Sequence, residues 1–428
     1  MISDSVDPAA PDEAYVWIWL PGRTEPVVAG RIARDGERLI FNYGRSYLER
    51  EDRIPIYAPE LPLKRGAILP HAGLGIAGCL RDGAPDAWGR RVILNRTFGS
   101  RGKDVDIGEL DELTYLLESG SDRAGALDFQ HSASNYMPRA VQMASLEELM
   151  TAADKVENGI PLSRDLDDAL FHGTSLGGAR PKAMIHDGEL KLIAKFSSAT
   201  DTYNVVKAEY VAMRLAGKVG LNIAPVRLEH VSGKDVLLVE RFDRIRTHDG
   251  WVRKAMVSAL TLFDLDEMMA RYASYADLAE IIRHRFTSPR VTLHELFGRL
   301  VFNILCGNTD DHARNHAAFW DGKNLTLTPA YDICPQSRSG NEASQAMLIV
   351  DNKRLSNLET CLDAAPHFQL NRKSAEDTIA KQIETIRTEW RFVCEEASLS
   401  EVEQNLLSQR MFLNSFIFEG APERLRKL

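Results

Sequence analysis

The sequence predicts an α+β protein with a strand-rich lobe, a mostly helical lobe and an additional α+β subdomain ahead of them. Three observations support this fold class. The 428 residues are 44% hydrophobic and 26% charged, which provides apolar material for two or three structural units. Short alternating segments typical of strands are concentrated before residue 245, and apolar residues at helical spacing dominate after it.

The charge and the cysteines exclude several classes of protein. Sixty-one acidic against 52 basic residues give a net charge of −9, which excludes phosphate binding by the whole surface. The first 13 residues lack an apolar core, so we expect no signal peptide, and the longest apolar stretch, 67–80, is too short to cross a bilayer. Five cysteines without a Cys-x-x-Cys pair indicate reduced thiols. We therefore expect a cytoplasmic protein without membrane contact.

The first part of the chain is predicted to hold a flexible tail, 1–13, and an α+β subdomain, 14–130. Aromatic and β-branched residues bounded by Pro and Gly predict two strands joined by a turn within 15–32 and a third strand at 39–43. Segment 126–129 is expected to close this first sheet. The segments between have apolar residues at helical spacing.

Residues 131–168 are predicted to form a linker and one helix. Ser145 followed by Glu148 is typical of a capping box at the start of a helix. Gly159 is typical of the position after a helix end. We therefore expect one helix between these residues, ahead of the next lobe.

The rest of the chain is predicted to form two lobes with a cleft between them. Residues 169–245 are strand-rich, with a hairpin at 183–196 around an Asp-Gly turn and an amphipathic helix at 204–218. Residues 246–428 are mostly helical and contain a single hairpin at 316–332.

One loop of the helical lobe has the spacing of a phosphoryl-transfer site. Asn315 follows Asp310 by five positions, as in the catalytic loop of protein kinases. Asp332 comes seventeen residues after Asn315, where the hairpin brings the chain back. Asp310 is expected to accept the proton of a substrate hydroxyl group, while Asn315 and Asp332 offer the oxygen ligands that Mg²⁺ prefers.

A strand lysine and a helix glutamate are predicted to lie in the same cleft. Lys195 has apolar neighbours in a strand, and Glu209 follows it by fourteen residues on the amphipathic helix. Because Glu209 borders the apolar face, it is expected to point toward the sheet and pair with Lys195. The alternative is an edge-strand lysine whose ammonium reaches water.

Two further segments flank these residues. Paired glycines within 174–182, followed by Arg180 and Lys182, allow backbone amides to approach phosphate oxygens. A glycine turn that leads into a strand is the alternative. Segment 237–244 ends a strand where the helical lobe begins and would act as a hinge that offers backbone groups to adenine, or else as a surface cluster of salt bridges.

The order of these features decides between the alternatives. Glycine-rich loop, strand lysine, helix glutamate, hinge, Asp-x4-Asn and the Asp after the hairpin follow one another as in kinases. This order predicts a bilobal protein-kinase-like fold that uses ATP and Mg²⁺.

Several of these segments resemble the HipA family of bacterial toxin kinases. The matching pieces are SLGGARPK, LIAKF, AEYVAMRLA, LLVERFDR, GNTDDHARN and LTPAYD, with DGAPDAWGRR and DRAGALDF in the N-terminal subdomain. The resemblance covers roughly residues 14–400. It implies a serine/threonine protein kinase of a type II toxin–antitoxin module, partnered by a small helix-turn-helix antitoxin, HipB. Any contact with DNA would then be indirect, through the antitoxin.

The resemblance also implies a role for each matching residue. Asp310 would be the catalytic base, and Asn315 and Asp332 would hold Mg²⁺. The residues that would line the nucleotide site are Gly177, Gly178, Ala179, Arg180, Pro181, Lys182, Lys195, Glu240, Arg241, Phe242, His312, Ala313, Arg314, Asn315, Tyr331 and Asp332. Autophosphorylation at Ser175, or at the adjacent Thr174, would add negative charge beside the nucleotide phosphates and inactivate the kinase. Family members phosphorylate translation components, aminoacyl-tRNA synthetases among them.

Two hypotheses of other classes remain open from the sequence. A small-molecule phosphotransferase on a similar fold has the same Asp-x4-Asn spacing. A catalytically silent partner of a DNA-binding regulator is the second hypothesis. The presence of Asp310, Asn315, Asp332 and Lys195 together argues against the silent partner.

Overall fold

The computed structural model describes residues 11–99, 102, 104–139, 144–163, 166, 170, 180–338, 340 and 342–428. It divides into two compact units. The first contains the described residues up to Met184 together with Arg246–Ala255, and the second contains Ile185–Ile245 and Met256–Leu428. Within the described ranges, none of the helices is long and apolar enough to cross a membrane.

An antiparallel five-stranded sheet in the order β4-β3-β2-β1-β5 forms the centre of the first unit. Its strands are β1 Glu13–Ile18, β2 Val27–Asp35, β3 Arg38–Tyr43, β4 Ala67–Ile68 and β5 Leu127–Gln130. Burial alternates along β3, so that one face packs into the core. The register pairs Val16 with Phe129, which confirms that the segment near residue 127 closes the first sheet.

The helices that the described residues form beside this sheet are α1 Arg45–Leu48, α2 Gly78–Arg81, α3 Ala87–Phe98, α4 Glu112–Glu118 and α5 Leu146–Glu157. Helix α5 begins with the predicted capping box, in which the Ser145 hydroxyl accepts from the Glu148 N–H and the Glu148 carboxylate accepts from the Ser145 N–H. A fully buried ion pair, with Arg123 Nε 2.9 Å from Asp128 Oδ1, fixes the start of β5.

A four-stranded sheet in the order β6-β7-β9-β8 follows, and it belongs to the second unit except for the first three residues of β6. Its strands are β6 Lys182–Asp187, β7 Leu190–Lys195, β8 Val226–Val231 and β9 Lys234–Glu240. Gly188 adopts a φ of 59° in the turn between β6 and β7, as the Asp-Gly pair predicted. Helix α6, Val205–Lys218, packs on this sheet and begins at Asn204, whose side chain accepts from the Lys207 N–H.

A further hairpin follows the sheet in the sequence, belongs largely to the first unit and was not predicted. Its strands are β10 Arg244–Thr247 and β11 Gly250–Arg253, and the next strand is β12 Ala255–Ser258. Gly250 takes a φ of 137°, which favours glycine, so the turn forms here. The prediction of one hairpin after residue 246 is therefore wrong. The predicted hairpin is present as β13 Ala317–Trp320 and β14 Leu325–Leu327, in one sheet with β12.

The rest of the second unit is a helical lobe. Its helices are α7 Ala259–Leu262, α8 Tyr275–Arg285, α9 Pro289–Cys306, α10 Leu358–Ala364, α11 Arg372–Glu396, α12 Glu401–Arg410 and α13 Glu423–Arg426. Helix α9 is the buried centre of this lobe. Helix α7 ends at Leu262, and most of residues 264–272 are exposed, so this part of the mostly helical region is not one continuous helix. The architecture is that of a bilobal, kinase-like α+β protein with an additional N-terminal subdomain.

Candidate active site

Lys195 is the centre of an ion-pair cluster between the two lobes of the second unit. Its Nζ lies 2.5 Å from Glu209 Oε1 and also donates a hydrogen bond to Asp332 Oδ1. Lys195 ends strand β7, Glu209 is a buried residue of helix α6, and Asp332 follows the β13–β14 hairpin. The structure therefore brings together three residues that the sequence placed in separate elements.

The two carboxylates keep the lysine charged. Burial alone would lower the pKa of Lys195, because its side chain is only 14% exposed. The negative charges of Asp332 and Glu209 outweigh this effect and raise the pKa of Lys195 above its usual value. One ammonium thus faces two carboxylates, which leaves an excess of negative charge at the cluster.

Asp332 holds an uncommon backbone conformation. Its φ is 59°, in the left-handed region, which Asp and Asn tolerate better than other non-glycine residues. The hydroxyl of its neighbour Tyr331 donates to the carbonyl oxygen of Arg314 at 2.7 Å and so ties this position to the Asp-x4-Asn loop. Such strain persists only where the surroundings hold it, and it is found at functional sites.

Asp310 and Asn315 lie on the loop between α9 and β13. Asp310 is exposed, while Asn315 is buried and donates from Nδ2 to the carbonyl oxygen of Asp310 at 3.3 Å. The N–H of Asn315 also donates to the carbonyl oxygen of His312. Because its amide nitrogen is used inside the loop, the side-chain oxygen of Asn315 is the atom that can bind a cation.

A buried group beneath this loop was not predicted from the sequence. Asp311 lies 2.9 Å from His316 Nε2 and accepts a hydrogen bond from the hydroxyl of Tyr275. Burial raises the pKa of Asp311, but the neighbouring His316 and these hydrogen bonds outweigh it and lower the pKa below its usual range. In the sequence, only the Asp-Asp pair pointed to this group, and nothing there tells which carboxylate faces inward.

Two of the three backbone N–H groups of the predicted hinge have hydrogen-bond partners among the described residues. The N–H of Glu240 donates to the Pro225 carbonyl and that of Arg241 to the Lys191 carbonyl, both at 2.9 Å. Among Glu240, Arg241 and Phe242, the described residues therefore leave the Phe242 N–H as the available donor.

The side chains of the hinge are packed rather than exposed. The Phe242 ring lies 5.5 Å from the Tyr331 ring. Asp243 accepts hydrogen bonds from Arg241 and Arg244, and all three side chains are buried. The alternative of a surface cluster of salt bridges is therefore wrong, because the cluster lies inside the protein.

Comparison with known proteins identifies the family. The HipA N-terminal domain matches residues 18–130, and the HipA-like C-terminal domain matches residues 174–390, half of the chain. The chain belongs to the HipA family of kinases. A putative kinase, Y4mE of Sinorhizobium fredii, is 26% identical over 347 residues, which are 74% of this chain and 76% of that protein.

Two further comparisons, one of sequence and one of structure, match this HipA-family chain to HipA of Shewanella oneidensis. The serine/threonine-protein kinase toxin HipA is 25% identical over 280 residues, 56% of this chain and 64% of that protein. The solved complex of HipA with HipB and operator DNA superimposes with a TM-score of 0.68 at 16% identity, over 97% of this chain and 99% of that one. The structural likeness supports the same fold over nearly the whole chain.

The remaining phosphate-binding candidates are only partly described. Ser175, Gly177, Gly178 and Ala179, like Thr174, lie outside the described residues. Arg180, Pro181 and Lys182 belong to the first unit. Lys182 Nζ lies 3.0 Å from Asp86 Oδ2, and both side chains are buried. This partner was not anticipated from the sequence.

The last candidates, His312, Ala313 and Arg314, lie within the Asp-x4-Asn loop. Ala313 is buried and His312 half-buried. Arg314 pairs with Glu267 of the segment that follows α7. These contacts connect the loop to a part of the helical lobe that the sequence did not associate with it.

The donor set at Asn315 and Asp332 fits Mg²⁺. In the part of the chain that the structure describes, no three His, Cys, Asp or Glu residues form a metal site of their own. An amide oxygen and a carboxylate are hard ligands, and in phosphoryl-transfer sites Mg²⁺ binds one or two carboxylates together with nucleotide phosphates. The pair therefore fits a magnesium ion that arrives with a nucleotide.

Proposed function

We propose that this HipA-family chain is an ATP- and Mg²⁺-dependent serine/threonine protein kinase that acts as the toxin of a toxin–antitoxin pair. The observation that carries this proposal is the contact of Lys195 with both Glu209 and Asp332, beside a loop that exposes Asp310. The relative from Shewanella oneidensis, named a serine/threonine-protein kinase toxin, supports the class of substrate hydroxyl and the biological role.

Each side chain of the site has a role in this reaction. The substrate hydroxyl oxygen forms a bond to the γ-phosphorus of ATP, the bond from that phosphorus to the β–γ bridging oxygen breaks, and Asp310 takes the hydroxyl proton. The charge of Lys195 positions the nucleotide phosphates, and Glu209 orients the lysine. The Phe242 N–H would donate a hydrogen bond to the adenine.

Asn315 and Asp332 would hold the magnesium ion. When bound, Mg²⁺ neutralises charge on the phosphates. The Tyr331 hydroxyl, next to Asp332, donates to the carbonyl oxygen of Arg314, next to Asn315, which supports a shared site for the two ligands. The Asp332 carboxylate also accepts a hydrogen bond from Lys195.

The partners and the regulation are part of the same proposal. We propose that the chain binds a HipB-like helix-turn-helix antitoxin. The solved complex of a HipA with HipB and operator DNA supports this partner. Through this antitoxin the chain would meet DNA in the cytoplasm. The protein substrate would be a translation component such as an aminoacyl-tRNA synthetase, and autophosphorylation at Ser175 would switch the kinase off.

Intact-mass measurement with Mg-ATP tests the chemistry. The purified chain is expected to gain one phosphate, mapped to Ser175 or Thr174, and Asp310→Ala is expected to gain none. Asp310→Asn is the matched control, because it keeps the shape of the side chain and removes only its basicity. Equal labelling of the wild type and both variants would exclude Asp310 as the base.

Growth measurement tests the toxin role. Induced expression of the wild type in bacterial cells is expected to stop growth, while Asp310→Ala is expected to leave it unaffected. Mixing the purified chain with a candidate helix-turn-helix protein should give one complex in size-exclusion chromatography. Arrest by both forms would argue against a toxin that acts through phosphorylation.

A further inference from the structure

The segment that follows α7 exposes large apolar side chains beside the Asp-x4-Asn loop. Met268 is 85% exposed, Tyr272 50% and Met269 43%. Single exposed apolar residues are ordinary on protein surfaces, but three within five positions form a patch. Residues 264–272, which we name the docking segment, therefore expose three large apolar side chains that the described residues leave largely uncovered.

Three contacts tie the docking segment and its flanks to the loop that holds Asp310. Before it, the Ala259 N–H at the start of α7 donates to the His316 carbonyl at 2.7 Å. Within it, Glu267 pairs with Arg314. After it, the Tyr275 hydroxyl donates to Asp311.

A further hydrogen bond connects the docking segment to the part of the chain that follows Asp332. Arg354 Nη2 donates to the Arg271 carbonyl oxygen at 2.9 Å. The exposed apolar side chains thus have a defined position relative to Asp310, although none of them belongs to the loop. A surface held in this way suits a partner whose reacting group must reach Asp310.

The charges of the docking segment indicate the chemistry of that partner. Its acidic residues are Asp264, Asp266 and Glu267, of which Glu267 already pairs with Arg314, and its one basic residue is Arg271. Arg271 also lies over the ring of Tyr272, with its guanidinium carbon 5.0 Å from the ring centre. A partner with an apolar side chain next to lysine or arginine would complement both the patch and the carboxylates.

We propose that the docking segment binds the protein substrate of this kinase, as a chain segment with an apolar and a basic side chain near the reacting serine or threonine. This inference rests on the proposed kinase activity and adds a specificity surface to it. The apolar side chain would pack on Met268 and Met269, and the basic one would meet Asp264 and Asp266. Such contacts hold the hydroxyl group close to Asp310 and so lower the KM for the substrate.

A positional-scanning library of peptides with a central serine tests this inference, with Mg-ATP and the whole chain as enzyme. The wild type is expected to prefer peptides with apolar and basic residues at fixed positions. In Met268→Ser/Met269→Ser, the KM for the preferred peptide is expected to rise about tenfold, while kcat changes far less. A tenfold rise corresponds to the loss of the free energy gained by burying about one methionine side chain. Met137→Ser, at a methionine 65% exposed in the first unit, is the matched control.

A second variant separates the charge from the apolar contact. Asp264→Asn/Asp266→Asn keeps the shape of the segment, and it is expected to remove the preference for basic residues while the preference for apolar residues remains. If both double variants keep the KM and the peptide preference of the wild type, the proposal that the docking segment binds the substrate is wrong. If the wild type labels no peptide and no other protein, the proposed kinase function falls, and the docking inference falls with it.

Discussion

The ammonium of Lys195 donates a hydrogen bond to Asp332, which lies 137 residues further along the chain. Lys195 ends a strand of the first lobe, and Asp332 follows a hairpin of the helical lobe, so this contact joins the two lobes of the second unit. Glu209 shares the same ammonium. The excess negative charge of this cluster is what a nucleotide-bound cation would neutralise.

The loss of the Lys195 charge should affect both stability and reaction. In Lys195→Met, Glu209 and Asp332 remain close together without a counter-charge. Because Asp332 is partly exposed, we expect the free energy of unfolding to fall by about 2 kcal/mol, less than for a fully buried pair. Phosphoryl transfer should be abolished. Urea unfolding and a radiolabelled ATP assay measure the two effects.

Lys195→Arg is the control for this variant, since it keeps the positive charge. It is expected to keep most of the stability and to lose activity, because a guanidinium group does not reproduce the compact ammonium. A Lys195→Met chain as stable as the wild type would show that the two carboxylates need no counter-charge.

The left-handed backbone of Asp332 predicts which of two variants, Asp332→Gly or Asp332→Ala, is the more stable. At an ordinary position, glycine in place of alanine destabilises a protein, because the unfolded chain gains freedom. At a φ of 59°, alanine is strained and glycine is not. We therefore expect Asp332→Gly to be more stable than Asp332→Ala by about 1 kcal/mol, measured by urea unfolding.

Both variants also remove the carboxylate, so both should lose Mg²⁺-dependent phosphoryl transfer. Asp332→Asn separates the backbone from the charge, since Asn tolerates the same conformation. It should be inactive but more stable than Asp332→Ala. If Asp332→Ala proves the most stable of the three, the backbone at this position is not strained in solution.

Local sequence patterns predicted the elements that carry the site. They did not predict how segments far apart in the sequence pack against each other. Helical periodicity placed Glu209 at the border of the apolar face of α6, and its carboxylate lies 2.5 Å from Lys195. The Asp311–Tyr275 contact joins residues 36 positions apart, and no spacing rule predicts it. The segment 264–272 has apolar residues at intervals that resemble a helix, but its contacts with the loop hold it in another conformation.

The buried Asp311 gives a prediction for the pH dependence of stability. Because its pKa is lower in the folded chain than in the unfolded chain, Asp311 stabilises the fold above about pH 4, the usual pKa of an aspartate. This stabilisation is lost as the pH falls through the folded-state pKa. The difference in unfolding free energy between the wild type and Asp311→Asn should therefore be largest above pH 5 and should shrink below pH 4.

Urea unfolding at a series of pH values measures this difference. Asp321→Asn, at a mostly hydrated turn of the β13–β14 hairpin, is the control and should show a smaller effect over the whole range. If the difference for Asp311→Asn grew toward low pH, Asp311 would be protonated more readily in the folded chain, which contradicts its contacts with Tyr275 and His316.

The last prediction concerns the backbone and the packing of Gly307. This residue follows the end of helix α9, shortly before the Asp-x4-Asn loop. Its φ is 73°, and a Cβ there would lie 2.8 Å from the carbonyl oxygen of Met411. Gly36, in the first unit, has a φ of 61° and no atom within 4 Å of a Cβ. Gly36→Ala therefore isolates the effect of the backbone conformation, about 1 kcal/mol.

Gly307→Ala adds the steric conflict with Met411, so we expect it to exceed Gly36→Ala by about 1–3 kcal/mol in unfolding free energy. The two variants should also differ in phosphoryl transfer. Asp310 comes only three residues after Gly307, and a shift of the helix end moves the loop that holds it. A Gly307→Ala chain with the stability of Gly36→Ala would mean that Met411 moves away freely, and activity should then be retained. Reduced activity without the extra loss of stability would instead place the displacement in the loop itself.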